Sequence, residues 1–356
     1  MIRKTPSRGP LLALTSAALF GASTPFAKML VGDVHPALLA AVLYLGSGLG
    51  LLLVRSSQRI LQRDPRPSTS ERLGITGALC LGAAILFGGV AGPVLLMFGL
   101  TMTPAASASL LLNMEGVLTA LLAWFVFREN FDSRIALGMV SIVAGAVVLS
   151  WRGEVTVTNI LGPLGVIGAC LAWATDNNLT RKVALSDPVR IAMLKGLTAG
   201  TINLVLALLI GASMPSLVPL ASAALLGFIG YGLSLVVFVL ALREIGTART
   251  GAYYSTAPFI GAVIAFIVLR EPITPVLLIS GGLMGFGVWL HLTERHEHEH
   301  EHEPVIHVHP HVHDEHHQHE HGPSDPPREP HTHRHAHVRL RHKHPHFPDT
   351  HHQHSH

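Results

Sequence analysis

Of the 25 histidines in this chain of 356 residues, 23 lie beyond residue 293. They recur at every second position. His296, His298, His300 and His302 alternate with Glu. His307, His309, His311 and His313 form a second run, His331, His333, His335 and His337 a third, and His342, His344 and His346 a fourth. Residues two apart lie on one face of an extended chain. Runs that fold back on one another can therefore offer three or four imidazoles to one ion. Imidazole suits Zn, Ni, Co and Cu(II). It binds as the neutral ring, so binding weakens below about pH 6. These fifteen histidines are the candidate metal ligands. Many prolines and no apolar periodicity accompany them, and disorder is expected over 294–356.

A second, sparser polar set interrupts long apolar runs: Asn113 and Glu115, then Trp173 with Asp176-Asn177-Asn178, then Lys195, and finally Tyr253 and Tyr254. The elements that hold them must be membrane spans. Hydrophobic residues make up 49% of the chain and charged residues only 13%, with a mean hydropathy of +0.43. Ordinary soluble enzymes, collagen-like fibres and disulfide scaffolds are excluded, since about a quarter of a soluble chain is charged. Cys80 and Cys170 both lie in apolar runs.

A spanning helix needs about 20 apolar residues. Ten such runs are present, at roughly 10–31, 35–54, 73–98, 105–127, 133–151, 160–182, 189–211, 217–241, 248–269 and 273–292. Leu110-Leu111-Leu112 and 204–210 lack the alternation of a barrel strand. Arg3, Lys4 and Arg8 before the first run resemble a signal peptide, but the run continues to about Val31, and an uncleaved first span is expected. With the N-terminus inside, inner segments hold 15 Lys and Arg and outer segments 3. The positive-inside rule then places both termini in the cytoplasm.

The apolar body repeats. Leu100, Ala106, Ala120, Ala123, Val126, Arg128 and Glu129 recur 142 residues later as Leu242, Ala248, Ala262, Ala265, Val268, Arg270 and Glu271. Gly9-Pro10-Leu11 recurs as Gly162-Pro163-Leu164. Two halves of five spans enter a membrane from opposite sides, an arrangement that places a substrate site near the midplane between them. The expected fold is an all-α membrane protein of ten helices. It divides into a first five-helix repeat (1–151), a second, inverted one (152–293) and the His-rich tail (294–356).

These stretches resemble the EamA branch of the drug/metabolite transporter superfamily, over residues 10–292. The resemblance rests on two apolar fourth helices, each running into Glu. One is Ser109-Leu110-Leu111-Leu112 through Phe127-Arg128-Glu129. The other is Ala257-Pro258-Phe259 through Leu269-Arg270-Glu271. Copy one departs in having Gly116, preceded by Glu115, where copy two has Pro258. The resemblance implies ten helices in two repeats and export or exchange of a small metabolite, with no cargo named.

Charge at membrane depth costs at least about 2.5–3.5 kcal/mol near a helix centre. Glu115 can exchange a proton as a coupling group or pair with a cationic substrate. It can equally be a protonated side chain bonded to a neighbouring helix. Asp176 and Lys195 sit at similar depth on successive spans and are expected to pair, as a gate or substrate contact or as a structural pair. Trp173, Asn177, Asn178, Asn113 and Tyr253 complete the candidate cavity, Tyr253 being equally an interfacial anchor. Gly88, Gly89, Gly92 and Pro93 are expected to form a hinge or an unwound segment.

The leading reading is a secondary transporter of a small solute in a bacterial inner membrane, proton-coupled and without a required cofactor, with a metal-binding regulatory tail. No Walker A pattern and no nucleophile–base constellation occur. The alternatives are a carrier of Zn, Ni or Co or of a chelate, and a membrane metal buffer. The expected partners are the lipid bilayer, a small solute and transition-metal ions. No nucleic acid is expected, and a homodimer stays open.

Overall fold

A computed structural model describes residues 8–61, 75–127, 133–151, 157–181, 188–293, 297–302, 306–311, 331–336 and 340–345. Through residue 294 the chain is one unit, and its described residues are helical. The helices are α1 (Gly9–Leu30), α2 (Pro36–Leu61), α3 (Ile75–Ala84), α4 (Gly92–Met102), α5 (Ala105–Leu111), α6 (Met114–Phe127), α7 (Ser133–Ser150), α8 (Val157–Arg181), α9 (Pro188–Leu209), α10 (Leu217–Leu226), α11 (Ser234–Tyr254), α12 (Ala257–Leu269) and α13 (Pro275–Leu292). Two π-helical stretches, π1 (Ile85–Ala91) and π2 (Gly227–Leu233), join α3 to α4 and α10 to α11.

Several starts follow from local chemistry. Pro10, Pro93, Pro258 and Pro275 lie in first turns, where no intrahelical donor is lost. The Thr274 hydroxyl accepts from the Leu277 N–H at 3.2 Å and caps α13.

Eight apolar segments are long enough to cross a membrane, and α12, at 13 residues, is a shorter apolar helix. The expected sixth span corresponds to α8, whose 25 residues include Asp176-Asn177-Asn178. The expected ninth is divided between the end of α11 and α12.

The second half repeats the first in its element boundaries. α3 and α10 begin at Ile75 and Leu217, π1 and π2 at Ile85 and Gly227, and α7 and α13 at Ser133 and Pro275, each pair 142 residues apart. The packing repeats as well. α1 packs on α11 and α12, while its counterpart α8 packs on α4 and α6; α2 meets α9 and α7 meets α13. The halves therefore interleave.

Missing side chains permit this closeness. A Cβ on Gly227 would lie 2.0 Å from the Leu43 carbonyl oxygen, and one on Gly46 would lie 2.2 Å from that of Ala224. Of the Gly-x-x-x-Gly pairs in the sequence, Gly46/Gly50 and Gly88/Gly92 sit at such tight approaches. Gly281/Gly285 does not; its nearest neighbours stand at 3.6 and 3.8 Å.

Beyond residue 294, four strands are described: β1 (Glu297–His302), β2 (Ile306–His311), β3 (His331–Ala336) and β4 (Leu340–Pro345). β1 pairs antiparallel with β4 and β2 with β3. The disorder expected from composition is thus interrupted by strands where His alternates with a second residue type, because period two is the strand period. His296, His313, His337 and His346 lie outside the described residues, as do Arg128 and Glu129.

Gly227→Ala should lower the thermal unfolding temperature in detergent, by an overpacking cost of about 1–3 kcal/mol. Gly282→Ala, which meets nothing within 4 Å, should leave it unchanged.

Candidate functional site

α8 and α9 both pack against π1. Across it, Lys195 Nζ on α9 lies 2.6 Å from each carboxylate oxygen of Asp176 on α8. Thr180, one turn along α8, donates to the same carboxylate at 2.8 Å. Both charged side chains are largely buried, with 16% of Lys195 and 10% of Asp176 exposed. The expected ion pair forms, but π1 stands at its centre. A Cβ on Gly88 would fall 1.9 Å from Asp176 Oδ2. Only glycine at 88 leaves room for the carboxylate.

The glycine-rich segment is therefore no unwound hinge. It is a wide helical turn whose carbonyls reach side chains of other helices. The Gly88 carbonyl accepts from Tyr44 Oη at 2.8 Å and from Trp173 Nε1 at 2.9 Å. The Gly89 carbonyl accepts from Asn203 Nδ2 at 2.9 Å. Gly92 makes way for the Trp173 indole, whose Nε1 would lie 2.8 Å from a Cβ there.

Beside the ion pair, exposed Asn177 donates its amide to half-buried Glu115 at 2.9 Å. Glu115 stands in the first turn of α6, just after the break between α5 and α6 at Leu112-Asn113. Asn113 itself turns back to the Leu110 carbonyl at 2.9 Å and supports that break. Asn178 donates to the Ala174 carbonyl at 2.9 Å and the Thr119 carbonyl at 3.3 Å, tying α8 to α6. The structure thus gathers Glu115, Asn177, Asp176, Lys195 and Trp173, while Asn113 and Asn178 serve the backbone around them.

An aromatic wall adjoins these groups. Phe20 of α1 stands 6.5 Å from Trp173, 5.9 Å from Tyr231 and 5.6 Å from Tyr254, ring centre to ring centre. Tyr44 lies 5.7 Å from Tyr231. Tyr253 is 37% exposed and has no ring neighbour in this group, which its successor Tyr254 joins instead. Phe20, Tyr44 and Tyr231 were not among the residues expected from sequence. The signal was rarity, since the chain has only four tyrosines and three of them meet here.

Elsewhere in the helical body, the Glu271 carboxylate, from the second half, accepts the N–H groups of Ala105 and Ala106, from the first half, at 2.7 and 2.8 Å. These are the opening residues of α5, whose N-cap, Pro104, gives no side-chain bond. Preceding Arg270 takes a left-handed φ of +52°, a strain of order 1–3 kcal/mol that turns Glu271 toward α5. Lys28 donates to the Leu100 carbonyl, on the other side of the α4–α5 turn. The repeated Glu is therefore a helix cap supplied across the repeat, a role invisible in its spacing.

A cavity of about 570 Å³ is bounded by Leu45, Leu49, Leu53, Leu204, Leu220 and Phe228 among others. Its lining is apolar and suits an acyl chain rather than a polar solute. Among the described side chains, no three His, Cys, Asp or Glu gather where they could hold a metal ion.

The profile of the EamA-like transporter family matches residues 7–151 and 160–293. The chain belongs to the EamA-like transporter family. It is 30% identical over 292 residues to an uncharacterized transporter of Methanothermobacter thermautotrophicus, covering 79% of this chain and 85% of that one. It is 30% identical over 232 residues to a probable terminal-alkyne amino-acid exporter of Streptantibioticus cattleyicolor, covering 64% and 75% respectively. A crystal structure sharing 18% identity superposes with a TM-score of 0.58 over 80% of this chain and 96% of its own, which supports the fold alone. This EamA protein is accordingly a membrane transporter of small solutes.

Lys195→Met alone should destabilise the protein strongly, by about 3–5 kcal/mol, because it strands the Asp176 carboxylate. Adding Asp176→Asn should recover most of the loss in a thermal unfolding measurement.

Proposed function

We propose that this EamA protein exports a small zwitterionic solute of the amino-acid class through the crevice at Glu115, Asn177, Asp176 and Lys195. The observation that carries this reading is the pairing of carboxylate and ammonium beside an aromatic wall, inside an otherwise apolar bundle. Charges at membrane depth mark solute and ion pathways. A zwitterion carries the same two charges. Its ammonium can take a place beside Asp176 or Glu115 and its carboxylate a place beside Lys195, while Phe20, Trp173 and Tyr254 receive the apolar part. The relative from S. cattleyicolor, named for amino-acid export, supports the same substrate class.

The reading takes ten spans, with α8 and the α11–α12 region added to the eight apolar ones. The repeats are inverted and both termini cytoplasmic, in keeping with the 15-to-3 division of Lys and Arg. On this topology the Glu271 cap closes the outer end. Opening that end requires the carboxylate to leave α5, and a solute or proton that rearranges the Asp176–Lys195 pair can shift that balance through π1. Glu115, held by Asn177, is the group proposed to exchange the coupling proton. The tail is proposed to bind Zn²⁺, Ni²⁺, Co²⁺ or Cu²⁺ in the cytoplasm and to adjust transport.

Counterflow of a radiolabelled amino-acid mixture in proteoliposomes tests this. Uptake should appear with the full chain, fall at least tenfold with Lys195→Met, and lose its response to a pH gradient with Glu115→Gln. A chain ending at Thr293 should transport without responding to Zn²⁺. Entry of Zn²⁺ with no amino-acid counterflow would overturn the assignment.

A further inference from the structure

The four tail strands share one register. β1 pairs with β4 from Glu297↔Pro345 to His302↔Leu340. β2 pairs with β3 from Ile306↔Ala336 to His311↔His331. Each step up one strand is a step down its mate, and the count runs on unchanged from the first ladder to the second. Both ladders therefore follow a single hairpin register, with residues 312–330 at its turn.

That register sorts the side-chain types. In the β1–β4 ladder, His298 is opposite His344 and His300 is opposite His342. The alternate positions set Glu299 opposite Lys343 and Glu301 opposite Arg341. In the β2–β3 ladder, His307 is opposite His335, His309 opposite His333 and His311 opposite His331. A slip of one residue would place His against Glu, Lys or Arg and would undo both sets of matches. Opposite charges directly across a ladder are favourable, and like charges are not.

We infer that the tail is a metal-closed hairpin in which each ladder holds one transition-metal ion on cross-strand histidine pairs, His298, His300, His342 and His344 in one ladder and His307, His309, His333 and His335 in the other. The inference rests on the metal-binding reading of the tail and adds the ligand sets, the stoichiometry and the folding.

The distances fit. Directly opposite residues have Cβ atoms about 4.5–5.5 Å apart, and same-face neighbours on one strand are two rises of about 3.3 Å apart. Four imidazoles at the corners of such a rectangle can converge on one ion at the ordinary Zn–N length of about 2.0–2.1 Å. An all-nitrogen set selects Zn²⁺, Ni²⁺, Co²⁺ or Cu²⁺ over Mg²⁺ and Ca²⁺, which take oxygen. The acids that could have served those ions alternate out of the histidine rows and face bases instead. A two-stranded ladder alone is marginal in water, and an ion that binds only the paired form draws the tail into it. Metal level then sets how much of the tail is folded.

The test titrates Zn²⁺ and Ni²⁺, with Mg²⁺ as control, into the full chain in nanodiscs by calorimetry. Two tight sites should appear for Zn²⁺ and none for Mg²⁺. His300→Ala should weaken one site at least about tenfold, a loss already expected when an outer partner of a ligand is removed. His300→Ala/His342→Ala should do little more, whereas His300→Ala/His309→Ala should weaken both sites. Glu301→Arg should weaken the first site, and Glu301→Arg/Arg341→Glu should restore it. Tight binding in which all histidine pairs are equivalent and the charge swap changes nothing would overturn the hairpin while leaving metal binding intact. Absence of saturable binding would overturn both.

Discussion

No water is available in the hydrocarbon layer to satisfy a polar group, so each must find its partner within the bundle. The architecture around Gly88 depends on that constraint. Asp176 and Lys195 neutralise one another across π1, and the carboxylate occupies space that any side chain at 88 would take. The wider π turn directs the Gly88 and Gly89 carbonyls to Tyr44, Trp173 and Asn203. One backbone irregularity thus ties α2, α8 and α9 together and brings the charged pair up to the aromatic wall. π-helical turns recur at functional sites for this reason.

The repeat adds a second layer. π2 stands in the second half where π1 stands in the first, but it has a different task. Gly230 approaches Ser23, Gly227 approaches Leu43, and Ser234 gives its carbonyl to Ser16 at 2.7 Å. No charged pair crosses it among the described residues. The halves share geometry and differ in chemistry. Only one half carries the ion pair, and Glu271, from the other half, caps α5. Two similar scaffolds that brace each other at unlike points are suited to a bundle that must adopt two arrangements.

Much of this was legible in the sequence, for identifiable reasons. Helix boundaries followed from apolar length and from proline, and the 142-residue shift read from Arg128-Glu129 and Arg270-Glu271 recurs in α3/α10, π1/π2 and α7/α13. The Asp176–Lys195 pair followed from depth on successive spans. The π turns did not, because glycine clusters are consistent with hinges, unwound segments and close packing alike. The site's tyrosines were half found, since adjacent Tyr253 and Tyr254 point differently on a helix and spacing alone cannot choose between them. The Glu271 cap depended on a contact between residues 166 positions apart, which no local pattern encodes. In the tail, composition argued for disorder, while the period-two alternation carried the strand signal.

The central claim is that the crevice beside the ion pair is where solute binds. Asn177 is exposed and touches Glu115, so a cysteine there reports the site directly. In a Cys80→Ser/Cys170→Ala background, Asn177→Cys should react with a membrane-impermeant maleimide from one side of the membrane only. An amino-acid mixture that supports counterflow should slow that reaction severalfold. Equal reactivity from both sides, or labelling that the amino acids do not slow, would contradict the account.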